Sequence, residues 1–245
     1  MTSRRAMQET QGRVICVDDI LTSACGVCLQ WWARILSCGA LFAYAIYVSN
    51  SPYNDADMEK ICRKAVELSC GHLEVIDIER FCTNDLLKCI ADNGSHLLCM
   101  RLVNCWGMTN KGFSEALRKL PLLEKVDISH SYLTEVSLEA LGRSCPLLKS
   151  LKFSVGWFAS RESDKMAFVI AETMPGLCHL DMKGHKLSEL RVLAIIDKCP
   201  LLESLDISVC LSLYEDEDLH KSCIDKINDL QLTYCYTYKP MRQLI

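Results

Sequence analysis

The sequence predicts an α/β solenoid in which parallel strands form a concave face and helices cover the convex face. Three observations predict it. An L-x-x-L-x-L pattern of aliphatic residues recurs seven times, amphipathic segments lie between the copies, and four copies have a proline two residues before their first aliphatic residue. A single strand-and-helix unit cannot bury its apolar face alone, whereas stacked units share one continuous core.

The copies of the pattern are evenly spaced along the chain. Their first residues are separated by 24, 26, 25, 29, 25 and 25 residues, a spacing typical of leucine-rich repeats. Because alternate side chains of a strand point to opposite faces, the aliphatic residues of each copy turn toward the core. The predicted strand anchors are Leu73-Ile76-Ile78, Leu97-Met100-Leu102, Leu123-Val126-Ile128, Leu148-Leu151-Phe153, Leu177-Leu180-Met182, Leu202-Leu205-Ile207 and Ile227-Leu230-Leu232.

The segments between the anchors are predicted helices. Their apolar residues recur three or four positions apart, as Leu138 and Leu141 do, which indicates an amphipathic helix. Proline cannot continue a helix and disfavours the helical conformation of the preceding residue, so each proline marks a helix-to-strand joint. The predicted helices cover residues 58–68, 85–92, 112–120, 136–143, 164–173, 188–197 and 217–224.

Composition and charge exclude several classes of protein. Of 245 residues, 50% are hydrophobic and 24% charged, which is typical of a folded globular protein. The formal net charge of −4 gives no broad positive field, so a nucleic-acid partner is not expected. The most apolar run, residues 35–48, is shorter than the roughly 20 residues that span a bilayer. No membrane partner is therefore expected, and an interfacial anchor around Trp31 and Trp32 is the less favoured alternative.

The sixteen cysteines are predicted to be reduced. Residues 1–19 are polar and lack the apolar core of a signal peptide, which favours a cytoplasmic or nuclear protein. Two sets of cysteines recur at equivalent repeat positions, and this recurrence predicts small buried hydrophobes rather than disulfides or metal ligands. The sets are Cys105, Cys210 and Cys235, eight residues after an anchor, and Cys70, Cys145 and Cys199, three residues before one.

No metal or other cofactor is expected, because no histidine joins these cysteines at zinc-binding spacing. The pair Cys25-x-x-Cys28 is kept as a less favoured redox or zinc alternative.

Residues 54–211 closely resemble the plant F-box/leucine-rich-repeat family, whose repeats belong to the cysteine-containing class. The resemblance is carried by D-M-E-K-I-C-R-K-A-V-E-L-S (57–69), E-V-I-D-I-E-R-F-C-T-N-D-L-L-K-C-I-A-D (74–92), E-A-L-R-K-L-P-L-L-E-K-V-D-I-S (115–129) and L-G-R-S-C-P-L-L-K-S-L-K-F (141–153). Upstream, I-L-T-S-A-C-G-V-C-L-Q-W-W-A-R-I (20–35) resembles the second half of the family's F-box. The first half has no counterpart in residues 1–19, so we expect a truncated F-box.

This resemblance divides the chain into three parts. We expect a disordered N-terminus over residues 1–17, a short helical F-box remnant over residues 18–52, and a leucine-rich-repeat domain of about seven repeats over residues 53–245.

The resemblance also implies a function. Members of this family are substrate receptors of SCF-type E3 ubiquitin ligases, in which the F-box docks on the Skp adaptor of a cullin complex and the repeats hold the protein to be ubiquitinated for proteasomal degradation. The residues expected to bind the adaptor are Ile20, Leu21, Val27, Cys28 and Trp31. The alternative is that these residues pack on the first repeat as an N-terminal cap, leaving a stand-alone repeat scaffold with a degenerate F-box.

Binding of a target protein is expected on the concave face. Its side chains alternate with the core residues and carry mixed charge, which suits a protein partner, although such a face can also serve solubility alone. The longest repeat contains an insertion, residues 154–163, whose aromatic and arginine side chains are either binding anchors or a lid packed over the core. The predicted target-binding residues are Arg101, Lys125, Asp127, Lys152, His179, Asp181 and Asp206 on the strands, and Trp157, Phe158 and Arg161 in the insertion.

The chain is expected to be a non-catalytic adaptor rather than an enzyme. The sequence contains no G-x-x-x-x-G-K-[ST], G-x-G-x-x-G, G-x-S-x-G or H-E-x-x-H motif. A small-molecule sensor is a third alternative, and it would need a deep pocket, which about seven repeats are expected to be too few to enclose.

Overall fold

Nine parallel strands follow one another in sequence order across a single sheet, and six helices connect the strands of successive repeats within the described residues. The computed structural model describes residues 54–154, 164–185, 187–208 and 227–231, together with the backbone of residues 14–16 and 45–48. The strands are β1 (Val14–Cys16), β2 (Ala45–Val48), β3 (Val75–Glu79), β4 (Cys99–Val103), β5 (Lys125–Asp127), β6 (Ser150–Lys152), β7 (His179–Asp181), β8 (Ser204–Asp206) and β9 (Asp229–Gln231). The helices are α1 (Asp55–Leu68), α2 (Asn84–Asn93), α3 (Asn110–Leu117), α4 (Glu135–Ser144), α5 (Asp164–Thr173) and α6 (Glu189–Lys198).

The predicted anchors stack in register, which confirms the leucine-rich-repeat solenoid. The middle anchor of each repeat lies opposite that of the next, as Val126 lies opposite Leu151 and Leu151 opposite Leu180. Val126, Leu151 and Leu180 are buried, while their neighbours on the same strands are exposed or half-buried. A cavity left by Leu151→Ala in this core would cost about 2–5 kcal/mol.

Four of the described strands, β3, β4, β5 and β7, are followed by a turn with the same left-handed backbone. The residue seven positions after the first anchor has φ of 85° at Arg80, 57° at Asn104, 56° at His130 and 77° at Gly184. In each case its N–H donates to a carbonyl of the next repeat; from His130 to Ser154 the distance is 2.8 Å. The turn therefore extends the ladder of hydrogen bonds beyond the strands, although a residue other than glycine is strained in this conformation.

Threonine side chains begin three of the helices. Thr83, Thr109 and Thr134 each accept a hydrogen bond from a backbone N–H in the first turn of α2, α3 and α4. These caps satisfy donors that a helix leaves unpaired at its N-terminus.

Polar side chains also join neighbouring helix starts to one another. The Asn110 Oδ1 atom accepts from the Thr134 backbone N–H at 3.0 Å and from Ser137 Oγ at 2.7 Å. The same link recurs where Asp164 Oδ1 accepts from the Ser188 N–H at 2.8 Å. One end of the helical layer is therefore fixed by hydrogen bonds between repeats as well as by the core.

The burial of the repeated cysteines is confirmed at three positions. Cys105, Cys145 and Cys199 are buried, and the Cys145 and Cys199 thiols each donate to a carbonyl of the preceding repeat at 3.5 Å. Burial raises the pKa of Cys145 to about 12 and that of Cys199 to about 11. Buried, protonated thiols of this kind act as small hydrophobic side chains.

The prediction that Cys70 is buried is wrong. Cys145 and Cys199 are themselves the C-caps of α4 and α6, whereas the C-cap of α1 lies one repeat position earlier, at Ser69. Ser69 fills the buried position and donates to the Val66 carbonyl at 2.7 Å, while Cys70 adopts a left-handed turn and is exposed. Cys210, Cys235 and the Cys25-x-x-Cys28 pair lie outside the described residues.

Two strands lie where the sequence analysis expected none. Residues 1–17 were assigned to a disordered terminus and residues 18–52 to a helical segment, yet β1 lies in the first and β2 in the second. β2 pairs in parallel with β3, and β1 pairs with β2. The short runs V-I-C and A-I-Y-V are rich in β-branched residues, which favour strands, and the edge of β3 offers them unpaired backbone groups. The seventh predicted helix, residues 217–224, lies outside the described residues.

Candidate functional site

The concave face is formed by the side chains of β3 to β9 that alternate with the core anchors, together with Lys183 just beyond β7. None of the described helices covers it, and most of its residues are polar or charged. They are Asp77, Glu79, Arg101, Val103, Lys125, Asp127, Ser150, Lys152, His179, Asp181, Lys183, Ser204, Asp206, Asp229 and Gln231.

The strand register arranges these side chains in two transverse rows. One row runs through Arg101, Asp127, Lys152, Asp181 and Asp206, each opposite the next on neighbouring strands. The other runs through Lys125, Ser150, His179 and Ser204. Because neighbouring strands lie about 4.8 Å apart, side chains within a row can contact one another.

Arg101 joins two carboxylates at one end of the face. Its Nη1 atom lies 2.6 Å from Asp77 Oδ1, and its Nε atom lies 3.5 Å from Asp127 Oδ2. Burial raises the pKa of Asp77, and the neighbouring guanidinium offsets only part of that rise. For Arg101 burial acts to lower the pKa, but the hydrogen bond from Asp77 and the nearby carboxylates raise it overall, so the guanidinium stays charged.

Lys183 joins two further carboxylates at the other end. Its Nζ atom lies 2.8 Å from Asp206 Oδ2 and 3.4 Å from Asp181 Oδ2, and the hydrogen bond with Asp206 raises the pKa of Lys183. Asp181 Oδ1 also accepts from Ser154 Oγ at 2.6 Å, and Asp206 Oδ1 from the Ser208 N–H at 3.1 Å. These aspartates are therefore occupied within the protein itself.

Lys125, Lys152 and His179 differ from the other predicted target-binding residues on the strands. All three are exposed, and none forms an ion pair in the part of the chain that the structure describes. The prediction grouped them with Arg101, Asp127, Asp181 and Asp206, and the structure does bring all seven onto one face. It divides them into an internally paired set and a set that projects to solvent.

Sequence reasoning missed one exposed aromatic pair. Trp106 and Tyr132 are 50% and 59% exposed, and their ring centroids lie 4.8 Å apart at an interplanar angle of 58°. Both lie nine residues after the first anchor of their repeat, and Trp157 occupies the same position after Leu148 in the sequence. This recurrence is the signal that could have found them.

The remaining predicted site residues lie outside the described residues. They are Ile20, Leu21, Val27, Cys28 and Trp31 in the segment predicted to be an F-box remnant, and Trp157, Phe158 and Arg161 in the predicted insertion. Among the residues described, no group of three histidine, cysteine, aspartate or glutamate side chains is arranged to hold a metal ion. None of the described helices is long and apolar enough to cross a membrane.

The fold and its exposed polar face define a leucine-rich-repeat protein. No protein-family model matches the chain. Among curated proteins it is 41% identical to F-box/LRR-repeat protein 23 of Arabidopsis thaliana over 71% of this chain and 40% of that protein. It is 36% identical to F-box/LRR-repeat protein 9 of the same plant over 80% of this chain and 81% of that protein, and 36% identical to F-box protein SKIP19 over 85% and 68%.

The chain belongs to the plant F-box/LRR-repeat family. It spans less than half the length of F-box/LRR-repeat protein 23 and about four fifths of F-box/LRR-repeat protein 9. Among solved structures, yeast Rad7 in its complex with Elc1 shares the fold, with a TM-score of 0.60 and 15% identity over 85% of this chain and 56% of that one.

Proposed function

We propose that the chain is the substrate-recognition subunit of an SCF-type E3 ubiquitin ligase, acting in the cytoplasm or nucleus. In this role the concave face holds a target protein, and the F-box remnant over residues 18–52 docks on the Skp adaptor and, through it, the cullin. Membership of a family whose curated members are named F-box proteins supports the adaptor half of the proposal.

The concave face is the observation that supports binding of a target protein. Its charged side chains are held in register across successive strands, and its aspartates are fixed by ion pairs and hydrogen bonds. Side chains that are already ordered lose little entropy when a partner binds. Mixed charge on an exposed sheet suits the polar surface of another protein.

A small-molecule sensor fits this face less well. The depression on the concave face holds about 220 Å³ and is lined mainly by charged and hydroxyl side chains. Pockets for small ligands are usually larger, roughly 300–1,000 Å³, and mostly apolar.

Such a receptor needs no nucleophile of its own. Holding the target beside a ubiquitin-charged enzyme raises the effective concentration of the reacting groups, which accelerates transfer without new chemistry on the receptor. The chain then needs two binding surfaces, one for the adaptor and one for the target.

We extend the target-binding surface to the aromatic pair Trp106 and Tyr132. Exposed aromatic side chains are frequent binding anchors, because they bury much apolar area on contact and have few rotatable bonds. Trp157, Phe158 and Arg161 remain predictions. Partner binding by Trp157→Ala and Phe158→Ala tests them, and unchanged affinity in folded variants would remove them from the surface.

Co-expression with a plant Skp adaptor and the N-terminal domain of a cullin tests the ligase role. The full chain should elute with both on size exclusion. Val27→Glu should release it, because a carboxylate in an apolar docking stripe is desolvated without a partner. Trp106→Ala is the matched control and should stay bound. A folded chain that elutes alone contradicts the proposal.

The second candidate is a repeat scaffold without a link to a ligase. It is favoured by the two strands β1 and β2, which extend the sheet from β3 and lie in the region assigned to the F-box remnant and the segment before it. Strands added at the end of a solenoid cover its open edge, which is the capping role. The co-expression experiment separates the two candidates, since a cap leaves the adaptor unbound.

A further inference from the structure

Three basic side chains project from adjacent strands at the middle of the concave face. Lys125 lies on β5, Lys152 on β6 and His179 on β7, and we call them the basic cluster. Register places Lys125 and His179 on either side of Ser150, while Lys152 lies in the next row. The cluster thus crosses three strands, a span of about 10 Å.

The carboxylates around the basic cluster are bound to other groups. Asp127 contacts Arg101 and accepts from the Ser129 N–H at 3.1 Å, and Asp181 contacts Ser154 and Lys183. Asp206 is buried beneath Lys183. The three side chains of the cluster, by contrast, are exposed and have no acidic partner among the described residues. A molecule that approaches here meets N–H donors first, although the face as a whole carries mixed charge.

The depression on the concave face adjoins two members of the cluster. Lys152 and His179 line it, together with the Ser150 hydroxyl and the Ser204 hydroxyl, which donates to Asp229. Asp181, Lys183 and Asp206 line it too, and these three are paired with one another. Ammonium, imidazole and hydroxyl groups are the donors that carboxylates accept from in proteins. The depression is shallow, so it receives side chains of an extended segment rather than a folded domain.

We propose that the basic cluster receives an extended acidic segment of the target protein. The inference rests on the proposed function, because it names the chemistry of the target that this same face binds. An extended segment of four residues spans about 10 Å, which matches the span of the cluster. Two or more aspartate or glutamate side chains in that segment pair with Lys125 and Lys152 and accept from His179.

A nucleic acid is a poorer occupant than an acidic peptide. The chain carries a net charge of −4. Asp77 lies opposite Arg101 and extends the row that includes Lys152, which then holds four aspartates. A long phosphate backbone would meet those aspartates and the negative field of the whole protein, whereas a short acidic segment contacts only the cluster.

Fluorescence anisotropy with the full chain tests the inference. The probes are two fluorescein-labelled dodecapeptides, one alternating glutamate and serine and one alternating lysine and serine. The glutamate peptide should bind, and raising the salt from about 50 to 200 mM should weaken it, because exposed charges are screened. Lys125→Glu and Lys152→Glu should each weaken binding about tenfold, while Lys152→Arg should retain it.

Lys165→Glu is the matched control. Lys165 is an exposed lysine on α5, so its replacement changes the net charge equally but on the helical side, and binding should stay within about twofold of wild type. Circular dichroism establishes that the variants are folded.

Four outcomes overturn the inference. They are no binding of the glutamate peptide, tighter binding of the lysine peptide, equal losses in Lys152→Glu and Lys165→Glu, and displacement of the peptide by a single-stranded oligonucleotide at lower concentration. Adaptor binding is measured on the same preparations. If the adaptor binds and the glutamate peptide does not, the inference alone fails; if the peptide binds through Lys152 and the adaptor does not, the ligase role alone fails.

Discussion

Asn110 binds Thr134 of the next repeat twice: its Oδ1 atom accepts from the Thr134 N–H and its Nδ2 atom donates to Thr134 Oγ1, both at 3.0 Å. Asn110→Ala removes both bonds and the acceptor of the buried Ser137 hydroxyl. We expect the free energy of unfolding to fall by about 1–3 kcal/mol, because buried donors lose their partners. Urea denaturation measures it.

The control for this prediction is the neighbouring Lys111→Ala. Lys111 is exposed on the same turn of α3, so its replacement should change stability by no more than about 0.5 kcal/mol. If the two variants unfold at the same urea concentration, the polar link between repeats contributes nothing.

Introducing a glycine into one left-handed turn and removing a glycine from another should change the stability of the protein in opposite directions. His130 and Gly184 hold the same position in two repeats, with φ of 56° and 77°. His130→Gly relieves strain and should stabilise the protein by up to about 1 kcal/mol, whereas Gly184→Ala should destabilise it by about 1–2 kcal/mol. Thermal unfolding followed by circular dichroism checks both. A stability that falls in both variants would argue against equivalent turns.

Thiol labelling should follow burial. Cys70 is exposed and should react with iodoacetamide in the native protein. Cys145 and Cys199 should react only after unfolding, since they are buried and their pKa values of about 12 and about 11 keep them protonated. Mass spectrometry of the digested protein gives the order of labelling. Native labelling of Cys145 at the rate of Cys70 would contradict the packing described for α4.

The Arg101 ion pairs should make stability depend on pH. Arg101→Met leaves Asp77 and Asp127 without their shared cation, and the pKa of Asp77, already raised by burial, should rise further. Without the guanidinium, the ionised Asp77 repels Asp127, so we expect a loss of about 1 kcal/mol at about pH 7 for this partly exposed group.

The difference between wild type and Arg101→Met should shrink toward about pH 4, because protonation of Asp77, whose pKa is raised, removes its repulsion with Asp127. Denaturation at the two pH values measures it, with Lys125→Met as the control for losing one positive charge from the same face. A gap that widens on acidification would show that Arg101 does not act through these carboxylates.

The repeats could be predicted from the sequence because their signals are periodic. Anchors such as Val126 and Leu151 recur at constant spacing, and that spacing alone determines which face of each strand is buried. The first residues of the helices were predicted less accurately. α1 begins at Asp55 rather than at residue 58, because Asn54 caps it with a hydrogen bond to the Asp57 N–H at 2.9 Å. The spacing of apolar residues, from which the helices were predicted, gives no information about a polar capping side chain.

The sequence predicted which surface carries the candidate site, but not how the side chains on that surface pair with one another. The sequence placed Asp181 and Lys152 on the concave side. It could not show that Asp181 is bound by Ser154 and Lys183, whereas Lys152 forms no ion pair with the described residues. Such pairing depends on side chains that come together only when the strands stack in register. The Trp106–Tyr132 contact has the same origin, since the two rings meet across neighbouring repeats.

Crosslinking mass spectrometry of the receptor with its captured target tests the central claim most directly. Lysines mark both faces: Lys125, Lys152 and Lys183 lie on the concave face, and Lys60, Lys88 and Lys165 lie on helices. After capture from plant extract under proteasome inhibition, we expect target crosslinks to concentrate on the concave lysines. Crosslinks confined to Lys60, Lys88 and Lys165 would contradict a receptor that holds its target on the sheet.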